Sequence, residues 1–147
     1  MMRSQQSARL IVYTGSGKVN MVNYKTRGAD ESTPLSVDTI YGLINTSIQS
    51  GKPLWLCGAN LRWSNLWHAN LSGADLRGAD LSGADMHGAN LIGADLRYAR
   101  LRDSNLRGAL LNSVDLSKTD LTAATYDTHT KWPEGFNPEA TGAVLDE

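Results

Sequence analysis

The sequence predicts an all-β solenoid, with flanking segments at both ends. Three observations carry that prediction. From Ala59 to Ala123 the chain reads as thirteen consecutive five-residue units, from ANLRW and SNLWH to VDLSK and TDLTA, each with Leu or Met at its centre. A small residue sits two places before the centre, usually with Asp or Asn between them. Gly often fills the last place of the unit. A period of five fits neither the two-residue repeat of a strand nor the 3.6-residue repeat of a helix. Residues two apart on an extended backbone share a face, so the small and central residues point one way and Asp or Asn the other. The last place is where the chain can turn. One unit alone buries nothing. Stacked units bury a continuous Leu/Ala column and pair their backbones from coil to coil.

The totals fit one domain with a small appendage. The chain has 147 residues, 41% hydrophobic but only 7% aromatic, so a core is made mainly of Leu and Ala. A net charge of −1 excludes a generally basic nucleic-acid binder and a generally acidic DNA mimic. Cys57 is the single cysteine, so no intrachain disulfide can form and a reducing compartment is expected. No apolar run approaches the length of a membrane span, and the N-terminus lacks a signal-like apolar stretch. The expectation is a soluble cytoplasmic protein without a membrane partner. Charge is uneven: residues 1–58 carry +3, residues 59–123 carry 0 and residues 124–147 carry −4.

In chain order, the first element is a β-hairpin. ARLIVY and KVNMVNY are β-branched and aromatic, with TGSG between them as the turn. Val37, Ile40, Tyr41, Ile44 and Ile48 recur at helical spacing and predict an amphipathic helix over 34–50. Thr33 is its expected N-cap, Pro34 its first residue, and Gly51 with Pro53 its end. An isolated hairpin is marginal in water, so hairpin and helix are expected to pack on the repeat. The repeat occupies 59–128, with Tyr126 replacing Leu in a fourteenth unit. The tail, 129–147, is aperiodic.

The run ADLRGADLSGADMHGANLIGADL resembles the pentapeptide-repeat family, whose pattern is A(D/N)LXX. The tail YDTHTKWPEGFNPEATGA is similar to the C-terminal tails of cyanobacterial members. The resemblance implies a right-handed quadrilateral β-helix with four units per coil. The column from Leu61 to Leu121 then points inward with the small residues, Ser64, Ser104, Val114 and Thr119 standing where Ala is usual. Fourteen units make about 3.5 coils, a rod of roughly 17 Å at the inter-strand spacing. Open ends invite aggregation unless covered. Residues 1–58 are the expected cap at the start, and Tyr126, Trp132 and Phe136 the expected closure at the end.

With four units per coil, residues twenty apart stack. Asp75, Asp95 and Asp115 then form one line, with Arg77 and Arg97 beside them and Lys118 near Asp115. Their neighbouring bases favour a solvated, balanced face over a cation site. Trp67, His87 and Arg107 form a second line, with His68 adjacent and Trp63 nearby. Such a stack suits an anion or a protein partner. The competing reading packs Trp63 and Trp67 beneath the N-terminal helix, and it is the favoured one. Zinc through His68 and His87 lacks further ligands, Cys57 standing on another face. Ile92 and Leu110 put apolar groups where the pattern is polar, a sign of a contact surface. Arg100 replaces Asp or Asn, with Asp103 its expected counter-charge.

No catalytic constellation emerges, and the expectation is a non-enzyme without cofactor or metal. GSGKV lacks the spacing and the hydroxyl of a phosphate loop. The expected function is a protein-protein interaction or scaffolding module, its partner unidentified. Candidate contacts are Trp63, Trp67, His68, His87, Arg107, Ile92 and Leu110. Direct nucleic-acid binding is not expected, and the chain is read as a monomer or weakly self-associating. The resemblance also offers DNA mimicry toward a type II topoisomerase, disfavoured by a neutral, short repeat.

Overall fold

The computed structural model describes residues 34–147, together with the strands β1 (Leu10–Tyr13) and β2 (Val19–Val22). β1 and β2 pair antiparallel, from Leu10↔Val22 to Tyr13↔Val19. The connecting TGSGK, and with it the glycines and lysine of GSGKV, lies outside the described residues, as does Thr33.

The helix α1 runs Val37–Ser50, three residues shorter at its start than the sequence predicts. Its N-cap is Ser36, not Thr33: the Ser36 hydroxyl accepts from the Thr39 amide at 3.2 Å. The reason lies just upstream. The Leu35 amide donates to the Asn60 carbonyl at 2.9 Å, which ties Pro34 and Leu35 to the edge of the repeat and keeps them out of the helix. Gly51 ends α1 in the left-handed conformation, φ 64°.

The repeat is a solenoid of parallel rungs. Bridges join residues twenty apart, from Trp55↔Asp75 through Asn105↔Thr125, so four units complete each coil. Strand structure shrinks to one bridged residue per unit, at the Asp/Asn place, because the two residues after the central Leu already turn. The turn has a fixed geometry: the Ala59 amide donates back to the Leu56 carbonyl at 3.0 Å, and Gly58 between them has φ 67°. This is the type II pattern, which demands a left-handed third residue. The outward Asp or Asn braces the same turn. Asn60 Oδ1 accepts from the Arg62 amide, and Asp75 Oδ1 from the Arg77 amide, both at 3.2 Å. Asp and Asn therefore recur for a backbone reason before any surface role.

The central residues from Leu56 to Leu111 are buried and contiguous with Ile40, Leu43 and Ile44 of α1. Ser64 and Ser104 are tolerated inside because their hydroxyls donate to the Leu61 and Leu101 carbonyls. Leu116 is only partly buried, although the column places it inside, because it stands on the last coil with no further rung beneath it.

The ladder continues beyond 128. Leu110 bridges Lys131, twenty-one residues on, so one extra residue is accommodated in the final coil. Asp127 organises that insertion by accepting from the amides of Gly108, His129 and Thr130. Two-residue strands β3 (Thr125–Tyr126) and β4 (Val144–Leu145) then pair in parallel, adding a further rung. Trp132 meets Tyr126 edge-on at 5.5 Å and stacks on Phe136 at 5.2 Å.

Candidate interaction surface

Four faces result. Face 1 carries the units centred on Leu56, Leu76, Leu96 and Leu116, and face 2 those on Leu61, Leu81, Leu101 and Leu121. Face 3 carries Leu66, Met86, Leu106 and Tyr126, and face 4 carries Leu71, Leu91 and Leu111.

Face 1 is an ion-pair ladder. Arg77 is bound to Asp75 at 2.7 Å and reaches Asp95 at 3.8 Å; Arg97 is bound to Asp95 at 2.6 Å and reaches Asp115 at 3.7 Å. Hydrogen bonds from Arg77 and Arg97 hold the Asp75 and Asp95 carboxyls below the usual carboxylate range. The acids are thus consumed within the face. The Asp115 carboxylate takes its hydrogen bond from the Ser117 amide, with Arg97 as its charge partner rather than Lys118. On face 2, Arg100 pairs across the rung with Asp80 at 3.7 Å rather than with Asp103 beside it, and Arg102 pairs with Asp120 at 3.6 Å. On face 2 the charge partners of Arg100 and Arg102 are thus on the neighbouring rung, whereas on face 1 the shorter pairs lie within one unit.

Face 3 is different. Trp67 lies against His68 with ring centres 4.9 Å apart and against His87 at 6.1 Å, and the two imidazoles are 5.7 Å apart, edge to face. Trp67 is 55% exposed, and Trp63, at the corner shared with face 2, is 67% exposed. Neither is buried beneath α1, contrary to the favoured sequence reading. The Tyr41 hydroxyl of the helix donates to the Trp67 carbonyl at 3.2 Å, while the indole stays exposed.

Trp63 and His68 occupy corner places at φ 58° and 53°, where Gly is the usual residue. Each is accommodated by a Gly one coil on. A Cβ on Gly83 would fall 2.1 Å from the Trp63 ring, and one on Gly88 would fall 2.3 Å from the His68 ring. The two aromatic rings therefore occupy the space that a side chain at position 83 or 88 would need.

The other candidates do not join this cluster. Arg107 stands on face 3 but is drawn to Asp146, with which it forms an ion pair, instead of completing the stack on His87. Ile92 and Leu110 lie on face 4; Ile92 is 41% exposed, while Leu110 is half-buried between the Asn90 and Lys131 rungs. Asp146 and Asp127 were not singled out from sequence. The Asp–x–x–Thr spacing of Asp127 and Thr130 is a local turn signal that could have found the second; the first is set by chain return and has no local signal. Among the described residues no three His, Cys, Asp or Glu side chains gather as a metal site, and no helix is long and apolar enough to cross a membrane.

The sequence pattern of the family described as pentapeptide repeats matches residues 58–91 and 89–125, in eight copies. Solved structures share this likeness. A pentapeptide repeat protein of the Arabidopsis thaliana thylakoid lumen is 27% identical over 63% of this chain and 54% of its own, with a TM-score of 0.48. One from the cyanobacterium Cyanothece 51142 is 38% identical over 55% of this chain and 65% of its own, with a TM-score of 0.40. One from Nostoc PCC 7120 is 32% identical over 78% of this chain and 100% of its own, also with a TM-score of 0.40. The chain spans about half of the first relative's length, just under two thirds of the second's and all of the third's. No curated protein matches it. The repeat matches and the identity across the whole Nostoc protein show that the chain belongs to the pentapeptide-repeat family, whose fold is the right-handed quadrilateral β-helix.

Proposed function

We propose that this protein is a non-catalytic interaction module that presents one face of a rigid solenoid to a protein partner. The observation that carries the reading is the pair Trp63 and Trp67, each more than half exposed yet held in place by backbone or imidazole. Exposed, preorganised tryptophans are the residues that dominate protein interfaces, because they bury a large area and lose little entropy. His68 and His87 complete the patch. Ile92 and Leu110 form a separate, weaker candidate on face 4. In this reading α1 covers the start of the core and Tyr126, Trp132 and Phe136 close its end, leaving the sides as the working surface. The repeat spans about 3.5 coils and the module acts in the cytoplasm. The ion pairs that neutralise faces 1 and 2 argue against imitation of a phosphate backbone.

Affinity capture from the native cell tests the proposal. The wild-type chain should recover a partner that the Trp63→Ala/Trp67→Ala double variant does not, with both chains equally folded by circular dichroism. Equal recovery by both would refute the patch as the contact.

A further inference from the structure

Charge on the solenoid says what kind of partner this patch fits. On face 1 three acids meet three bases: Asp75, Asp95 and Asp115 against Arg77, Arg97 and Lys118. Face 2 balances likewise, Asp80, Asp103 and Asp120 against Arg62, Arg100 and Arg102. Face 3 does not balance. Asp85 and Asp127 lie along it, β4 brings Asp146 and Glu147 to its far end, and Arg107 is its one base among the described residues, which leaves −3 with the histidines neutral. Arg107 is itself taken up by Asp146. The Asp85 carboxylate accepts from the His87 amide and from Asn105 Nδ2, but no cation pairs with it among the described residues. It sits one rung from Asn65, in the unit whose His87 touches Trp67. The exposed indoles and the unneutralised carboxylates thus share one face.

We propose that face 3 receives an arginine-bearing segment of the partner protein, its guanidinium groups stacking on Trp63 and Trp67 and pairing with Asp85 and the acids beyond it. This rests on the interaction reading above. Guanidinium suits the surface better than ammonium does. It is planar, stacks on an indole face and offers a fork of donors to a carboxylate, while the ammonium of Lys is a strongly hydrated point charge. Tryptophan is the best of the aromatic rings for such a cation. A neutral or acidic partner would leave the charge of Asp85 uncompensated at the interface.

The test uses the full chain and three synthetic peptides of equal length, bearing six Arg, six Lys or six Glu between glycines, in calorimetric titrations at low and physiological salt. The Arg peptide should bind, the Lys peptide about three- to fivefold more weakly, as loss of an exposed cation–π contact predicts, and the Glu peptide not at all. Trp67→Ala and Asp85→Asn should each weaken the Arg peptide about fivefold, a charge-assisted contact being worth roughly that much or more. Asp115→Asn on face 1, which removes the same charge, should leave it unchanged. Asp85→Asn is structurally mild, since Asn65 and Asn105 already fill the same place in their units. Equal binding of Arg and Lys peptides, equal effects of Asp85→Asn and Asp115→Asn, or no binding of the Arg peptide would each overturn the proposal. A partner crosslinked at Trp67 but lacking a basic segment would also overturn it, while leaving the interaction reading intact.

Discussion

The six-membered ring of Trp63 rests on the backbone of Gly83, where a Cβ of residue 83 would lie 2.1 Å from it. Gly83 thus carries two constraints at once, a left-handed φ of 69° and a ring directly above it. Gly73 has the first constraint but open space around it. Gly73→Ala should cost about 1 kcal/mol for the left-handed backbone. Gly83→Ala should cost roughly 2–3 kcal/mol, because the added methyl also displaces the indole. Urea denaturation of both variants measures the difference. Adding Trp63→Ala to Gly83→Ala should return part of the loss, and strict additivity of the two changes would deny the contact.

The reverse change should stabilise. Ser113 and Lys118 hold corner places at φ 59°, without the ring-on-backbone packing that Trp63 and His68 make. Ser113→Gly and Lys118→Gly should each raise the midpoint of thermal unfolding, by about 0.5–1 kcal/mol of stability.

Core depth varies along the column. Leu91 is fully buried in the middle of the solenoid, and Leu116 is half-covered on its last coil. Leu91→Ala should cost about 3 kcal/mol or more, and Leu116→Ala roughly 1 kcal/mol. Equal losses would contradict the burial gradient.

Asp127 sets a pH dependence. Burial pushes its carboxyl up, but the amides of Gly108, His129 and Thr130 and the Thr130 hydroxyl hold it down at about 2. A folded-state value below the unfolded one stabilises the fold above the ordinary carboxylate range, and that contribution fades as pH falls toward about 2. Asp127→Ala should lose about 1–3 kcal/mol at neutral pH from the unpaired amides. The gap between wild type and variant should narrow between roughly pH 4 and pH 2. A gap constant over that window would show that the carboxylate's charge contributes nothing.

The repeat was the legible part of this chain, because one five-residue rule fixes the turn, the inward column and the twenty-residue stacking of Trp55 over Asp75 and Asn65 over Asp85. The face 1 ladder came from it directly. What escaped were features set by the chain's return rather than by its period. The start of α1 moved from Pro34 to Val37 because Leu35 is held by Asn60. Arg107 left its column because β4 delivers Asp146 to it. The exposure of Trp63 and Trp67 turned on where α1 lies, and a helix's hydrophobic stripe names its inner face but not the spot it covers.

The most direct test of the account places a photo-crosslinking amino acid at position 67 of face 3 and, separately, at position 97 of face 1, in the living cell. The account predicts a specific adduct from position 67 that Trp63→Ala abolishes, and none from position 97. Adducts of equal yield from both positions, or from position 97 alone, would contradict it.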